Sequence, residues 1–126
     1  MSETTSKTAL LFDDNLMTTA RVRSQLQAIS YQVQVLKRLP EQEMTEVELV
    51  IINLGSRSLP GMALITSCLQ QFPGARVVGF CGHAEIAIRQ EAKQAGLKRI
   101  LTNDEALQNL AQSLGIQSHH DVQKEP

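Results

Sequence analysis

The stretch VELVIIN, residues 47–53, decides the fold of this chain of 126 residues. It is rich in β-branched residues, which favour strands. Its polar residues are Glu48 and the terminal Asn53, so the run is almost continuously apolar. Such a run predicts a strand that is buried on both faces, as is typical of parallel sheets. The strand is predicted to end at Asn53.

Segments of strand and helix character alternate on both sides of this stretch. The predicted strands are residues 9–12, 31–35, 47–52, 76–80 and 98–102. The predicted helices are residues 15–29, 40–45, 62–71, 84–95 and a last one capped by Asp104, running to about residue 114. Polar and apolar residues alternate in 31–35, which predicts a strand at the sheet edge. Five βα units in a row predict a five-stranded doubly wound parallel sheet with helices on both faces.

A chain of this length suits one domain. We expect residues 8–115 to form it, residues 1–7 to be flexible and residues 116–126 to be a disordered tail, because both ends are polar. The triplet His119-His120-Asp121 is similar to a fragment of a metal site. It lies in the predicted tail without further ligands, and we interpret it as part of that tail.

Composition excludes several classes of function. Twelve basic and 13 acidic residues give a net charge of −1, which provides no electrostatic footprint for nucleic acid or an anionic membrane. Three Phe, one Tyr and no Trp are too few for a platform that stacks bases. The two cysteines form no CxxC motif, which indicates a reducing compartment. No apolar run or leader resembles a membrane span or signal peptide, so we expect a cytoplasmic protein.

The residues that follow the strands are the candidates for a site, since doubly wound sheets bind ligands beyond the carboxyl ends of their strands. The residues predicted at this edge are Asp13, Asp14, Asn53, Cys81 with the following Gly82-His83, and Asn103. No Gly-rich phosphate loop, catalytic triad or EF-hand loop can be assembled from the chain. We therefore expect no enzyme and no catalytic residues.

This pattern resembles the receiver domains of bacterial two-component response regulators, from about Thr8 to Leu114. In that family an acidic pair ends the first strand, a phosphorylated Asp the third, a Thr or Ser the fourth and a Lys the fifth. Asp13 and Asp14 match the acidic pair, and Gly61 fits the Gly that opens the family's third helix. The resemblance implies a CheY-like, flavodoxin-like (βα)5 fold.

The other three positions depart from the family's pattern. Asn53 stands in the place of the phosphorylated Asp, Cys81 in that of the Thr or Ser, and Asn103 in that of the Lys. A carboxamide is not the nucleophile that phosphoryl acceptance needs. Asn103 brings no charge to a phosphoryl group, and Cys81 is a poor hydrogen-bonding partner. The resemblance therefore implies a degenerate, or pseudo-receiver, domain.

Two hypotheses remain open at the acidic pair. Asp13 and Asp14 could hold Mg²⁺, a hard cation that prefers carboxylates. Alternatively, no metal or other cofactor binds: Asp14 caps the helix that starts near Asn15, and Asp13 is a solvated carboxylate. We favour the second hypothesis, because Asn53 offers only a neutral oxygen.

The cysteines have competing interpretations as well. His83 could lower the pKa of Cys81 and make its thiolate reactive. The favoured alternative is that Cys81 is a small buried apolar residue. Cys68 lies on the apolar stripe of its predicted helix and is assigned to the core.

Our leading hypothesis is a stand-alone pseudo-receiver that binds another signalling protein without being phosphorylated. The expected partner face is locally basic and carries Arg89, Lys93, Lys98 and Arg99. A homodimer through the same face is a further possibility. The alternative function is a small-molecule sensor whose ligand binds at the strand ends, which requires an apolar pocket around Asn53 and Cys81.

Overall fold

A computed structural model describes residues 7–41, 44 and 46–116 of the chain. The elements in chain order are β1 (Lys7–Phe12), α1 (Leu16–Ala28), β2 (Tyr31–Leu36), β3 (Val47–Asn53), α2 (Gly61–Gln71), β4 (Arg76–Cys81), α3 (Ile86–Gln94), β5 (Arg99–Thr102), α4 (Asn103–Gln108) and α5 (Leu110–Leu114). The five strands form one parallel sheet in the order β2-β1-β3-β4-β5. The predicted flavodoxin-like sheet is confirmed, with β2 at an edge.

The sheet has an apolar core on each face, because successive side chains of a strand point to opposite sides. In β3, Val50 and Ile52 belong to the core that α2 and α3 cover, with Leu64, Ile65 and Cys68 of α2. Leu49 and Ile51 belong to the core on the other face, which α1, α4 and α5 cover. The near-continuous apolar run in the sequence thus reflects burial on both faces.

The connection between β2 and β3 differs from the prediction. Residues 40, 41 and 44, the described part of the predicted helix 40–45, are not helical. Leu39 and Met44 instead pack as partly buried side chains against the core beside α2. The segment has too few apolar side chains to bury one face of a helix, and a helix this short is marginal without such burial.

The end of the domain also differs from the prediction of one helix capped by Asp104. Thr102 is the N-cap, and it forms a capping box with Glu105, while Asp104 lies in the first turn of α4. The helix then breaks at Asn109 into α4 and α5. Gln25 of α1 spans the break: its Nε2 donates to the Ala106 carbonyl (2.8 Å), and its Oε1 accepts from the Leu110 amide (2.9 Å). Backbone groups freed by the break are thus satisfied from α1.

Two arginines hold the C-terminal end of α5 against the sheet. Arg76 at the start of β4 donates to the Leu114 carbonyl, and Arg99 at the start of β5 donates to the Ser113 carbonyl, both at 2.6 Å. Cations favour this end of a helix, where unpaired carbonyls carry partial negative charge. The contacts fix α5 over the edge at which the strands begin.

Some expectations concern residues outside the described ranges. The flexible segment 1–7 is described only at Lys7, which is part of β1. The predicted tail, including His119-His120-Asp121, lies outside the described residues from 117 onward. Within the described ranges, no helix combines the length and the apolarity that a membrane crossing requires.

We predict that Gly79→Ala destabilises the domain. A Cβ at this position of β4 would lie 2.6 Å from Leu54 Cδ1 and 2.8 Å from Leu97 Cδ2. Both leucines are buried, so packing must shift, at a cost of about 1–3 kcal/mol in urea denaturation. The matched control is Gly74→Ala, whose Cβ meets nothing within 4 Å and which should be neutral or stabilising. Equal stability of the two variants would contradict the close approach at Gly79.

Candidate functional site

A cleft of about 420 Å³ opens at the edge where the strands end. Four of the residues predicted at this edge line it, namely Asp14, Asn53, Gly82 and Asn103. Asp13 lies beneath it, with 1% of its surface exposed. Cys81 does not line the cleft and is fully buried. The structure therefore brings together four of the five predicted positions.

Asp13 carries a carboxylate that is saturated by donors from the protein. Its Oδ1 accepts from the Asn15 amide (3.1 Å) and from Asn53 Nδ2 (2.9 Å). Its Oδ2 accepts from the hydroxyls of Thr18 and Thr19, the latter at 3.0 Å. An ionised carboxylate has about four acceptor sites, and four donors occupy them. This arrangement compensates the burial of a charge that would otherwise be costly.

Asn53 is the buried link between two strand ends. Its Nδ2 donates to Asp13, and its Oδ1 accepts from the Gly55 amide at 3.0 Å. An Asp at this position could accept from Gly55 but, when ionised, could not donate to Asp13. The carboxamide is therefore chemically matched to its neighbour on β1.

Asp14 is tied to the loop between β3 and α2. Its two carboxylate oxygens accept from the hydroxyls of Ser56, at 2.8 Å, and Ser58. The Ser56 hydroxyl oxygen in turn accepts from the amides of Ser58 and Leu59, both at 3.3 Å. The hydrogen bonds from Ser58 and Ser56 lower the pKa of Asp14 below its ordinary value. The carboxylate thus organises the loop in its ionised form.

These contacts correct the favoured hypothesis for the acidic pair. The N-cap of α1 is Asn15, whose side chain accepts from the amides of Met17 and Thr18. Asp14 does not cap the helix, and Asp13 is not solvated. The sequence pattern placed the cap one residue too early, because Asp and Asn are equally good N-cap residues.

The Mg²⁺ hypothesis does not fit the donors present. Asp13 has no oxygen free for a cation, and both oxygens of Asp14 already accept from serines. The side-chain oxygen of Asn53, Oδ1, accepts a hydrogen bond from the Gly55 amide. A hard cation needs several such oxygens together, so binding it here would require these hydrogen bonds to break.

Cys81 belongs to the core and not to the site. In the sheet, Asn53 is in register with Phe80, and Cys81 with Thr102. Phe80 therefore shares the face of Asn53 and lines the cleft, while Cys81 points to the opposite face and packs in the core beside α2 and α3. Burial raises the pKa of the Cys81 thiol. His83 is exposed, and the reactive-thiolate hypothesis is wrong.

Cys68 lies in the same core, as predicted. Burial raises its pKa to about 12, which keeps its thiol protonated at neutral pH. Both cysteines are unpaired and buried. Neither is placed to act as a nucleophile in the cleft.

The cleft also lacks the surroundings that the sensor hypothesis required. Its lining is mainly polar, with Asp14, Arg57 and Glu85 as charged members and Phe80 as its one aromatic residue. Ligand pockets are instead lined predominantly by apolar side chains. A pocket formed by apolar groups around Asn53 and Cys81 is not found among the residues that the structure describes.

Four hydroxyl residues of the site were not anticipated. Thr18 and Thr19 lie in the first turn of α1, where side chains lean back toward the N-terminus. Their contact with Asp13 could have been inferred once Asn15 was identified as the cap. Ser56 and Ser58 contact Asp14 across more than 40 residues of chain, and no local pattern indicates this pairing.

Solved receiver structures share this fold. A response regulator receiver domain protein from Clostridium thermocellum is 17% identical with a TM-score of 0.71, over 86% of this chain and 91% of that chain. The signal receiver domain of an HD domain-containing protein from Pseudomonas fluorescens Pf-5 is 23% identical with a TM-score of 0.67, over 100% and 98%. A response regulator from Burkholderia pseudomallei with a phosphorylated aspartic acid and a calcium ion is 22% identical with a TM-score of 0.67, over 96% and 76%. The chain therefore has the receiver fold.

No family model matches the sequence, and no curated protein matches it either. The likeness thus lies in the fold.

We predict that Asn53→Asp destabilises the protein at neutral pH. The change replaces the amide donor by a second carboxylate about 3 Å from Asp13, in a buried position where two like charges repel. We expect a loss of about 2–4 kcal/mol in urea denaturation, which should shrink on acidification because protonation of the introduced carboxyl removes the repulsion. The exposed Asn103→Asp provides the same chemical change as a control and should be near neutral. Unchanged stability of Asn53→Asp would show that the amide is not needed as a donor.

We predict that the serine contacts of Asp14 stabilise the fold at neutral pH and that this contribution is lost progressively on acidification. A carboxyl whose pKa is lowered on folding contributes stability above its unfolded pKa, and this contribution disappears as the pH falls through the folded pKa. The double variant Ser56→Ala/Ser58→Ala should lose about 1 kcal/mol at pH 7, a modest amount because Asp14 is partly exposed. The part of this loss that depends on the Asp14 carboxylate should disappear on acidification and should be absent in an Asp14→Asn background, whereas the part due to the two amides that donate to Ser56 should persist at every pH. A loss that is independent of pH would instead assign the serines a role in the loop alone.

Proposed function

We propose that this chain is a pseudo-receiver, a signal-transduction module that binds a partner protein without being phosphorylated. The observation that carries the proposal is the hydrogen bond from Asn53 Nδ2 to Asp13 Oδ1 (2.9 Å). In the receiver domains that this chain resembles, the equivalent of Asn53 is the phosphorylated Asp. A carboxamide cannot attack a phosphoryl donor, and here it is committed to a structural contact.

The surroundings of Asn53 support the same conclusion. Phosphoryl transfer depends on cations and donors aimed at the transferred group. Asp13 is occupied by its four protein donors, Asn103 supplies no positive charge, and Cys81 faces the opposite core. Arg57 is the one cation among the described lining residues of the cleft, and Glu85 and Asp14 outweigh its charge there. These groups lock the strand ends together and do not assemble a transfer site, so we propose that the chain is not an enzyme.

The partner surface that we propose lies on α3. Ile86, Arg89 and Lys93 follow one another at spacings of three and four residues, which places them along one face of the helix. Ile86 is 63% exposed, although it is a large apolar residue. An exposed apolar anchor followed by cations suits a protein partner with an apolar pocket and an acidic rim.

The four residues of the predicted basic face belong to two segments of the chain. Arg89 and Lys93 belong to α3, whereas Lys98 immediately precedes β5 and Arg99 is its first residue. Arg99 also holds the end of α5 through the Ser113 carbonyl. We therefore assign partner binding to the α3 part and keep Lys98 and Arg99 apart from it.

Two measurements test this proposal. Incubation with acetyl phosphate and Mg²⁺ should leave the intact mass of the protein unchanged. A labile gain of one phosphoryl group would overturn the proposal.

Affinity capture from the host should retain a partner protein, whether or not acetyl phosphate is present. Arg89→Glu/Lys93→Glu should lose that partner, because the cations face its acidic rim. Arg21→Glu/Arg23→Glu, the same charge change on exposed positions of α1, should keep it. A partner that both double variants retain would place binding elsewhere.

A further inference from the structure

Two grooves of opposite charge lie side by side at the edge where the strands begin, away from the cleft. The first, the acidic groove, has a volume of about 920 Å³ and includes Glu41, Glu46 and Glu48 with the single cation Lys7 among its described lining residues. The second, the basic groove, has a volume of about 440 Å³ and includes Arg76, Lys98 and Arg99, with no acidic residue among its lining. The chain as a whole is nearly neutral, with a net charge of −1, but at this edge its acidic and basic residues lie in two separate grooves.

Apolar residues lie where the two grooves meet. Pro73, just after α2, lines both grooves. Leu69 of α2 lines the basic groove and is 37% exposed. Its Cδ1 lies 3.0 Å from the position that a Cβ of Gly96 would occupy, so the backbone at Gly96 approaches it closely. The edge therefore has an apolar centre flanked by charge, which is the arrangement of a protein interface.

The cations of the basic groove are held in place. Arg76 and Arg99 each use one guanidinium nitrogen to donate to a carbonyl at the end of α5. A guanidinium has five N–H donors, so each arginine can donate to a second acceptor from a fixed position. Less side-chain freedom is then lost when a carboxylate binds.

We propose that this edge is the interface of a symmetric homodimer, in which the basic groove of each copy contacts the acidic groove of the other. A two-fold interface must be self-complementary, because the same patch of both copies meets. Adjacent grooves of opposite charge meet this requirement when their junction, at Pro73 and Leu69, lies near the two-fold axis. A partner with a single sign of charge would complement only one of the two grooves.

The proposal is independent of phosphorylation and of the α3 surface. Because the charges are exposed, the dimer depends on ionic strength. At about 0.01 M salt the Debye length is about 30 Å, whereas at about 1 M it is about 3 Å. Sedimentation equilibrium should therefore give the mass of two chains at low salt and that of one chain at high salt.

Charge reversal provides the decisive experiment. Lys98→Glu lowers the net charge of the basic groove from +3 to +1, and Glu48→Lys raises that of the described lining of the acidic groove from −2 to 0. Each variant alone should dimerise more weakly than the wild-type protein at low salt, because the attraction is reduced at both contacts across the two-fold axis. An equimolar mixture should dimerise more strongly than either variant alone, since the acidic groove of one variant and the basic groove of the other are both unaltered and meet at one of the two contacts. Glu46→Lys replaces Glu48→Lys if the latter fails to fold, and circular dichroism verifies folding of each variant.

The controls change charge without touching either groove. Arg23→Glu on α1 and Glu91→Lys on α3 match the two reversals in sign and size, and both residues are exposed. They should leave the dimer intact. Leu69→Asp should make the protein monomeric even in the mixture. A wild-type protein that is monomeric at low salt, or a mixture that fails to associate, would overturn the proposal.

Discussion

The hydrogen bond between the side chains of Asn53 and Asp13 joins the ends of β3 and β1, the two central neighbours in the sheet. Both residues are buried, where a polar group without a partner is costly. The contact therefore constrains everything around it. Asp13 accepts hydrogen bonds from Thr18 and Thr19, which fixes the first turn of α1 against the end of β1. Asn53 accepts from the Gly55 amide, which fixes the start of the loop after β3.

The sheet could be predicted because its signal is local. Continuous apolar runs such as 47–53 indicate strands buried on both faces, and alternation in 31–35 indicates an edge. The helix break at Asn109 could not be predicted, because the group that satisfies it, the Gln25 amide, lies more than 80 residues away in sequence. The helix proposed at 40–45 failed for a related reason: Pro40 suggested a start, but helix stability comes mainly from the packing of an apolar face.

The site was predicted in part. Parallel strands end at one edge, so the positions of Asp13, Asp14, Asn53 and Asn103 follow from topology. Cys81 was misplaced because one residue along a strand reverses the face, and register is a property of the pairing with β3. The chemistry of the site was also misjudged. The sequence suggested only departures from the receiver pattern, whereas the structure shows donors and acceptors that match one another, with serines and threonines contributing from other segments.

The Gln25 side chain has a consequence for motion. Its two hydrogen bonds connect α1 to both sides of the break between α4 and α5, so the two short helices share one tether. Neither is long enough to persist alone. Local opening should therefore release them as a single cooperative unit, with amide protons of α4 and α5 exchanging at a common rate. The C-terminal end of this unit is held by Arg76 and Arg99, which donate to its last carbonyls and also line the basic groove. A second copy bound in that groove would therefore slow hydrogen exchange of the amides in α4 and α5, although it does not contact the break itself.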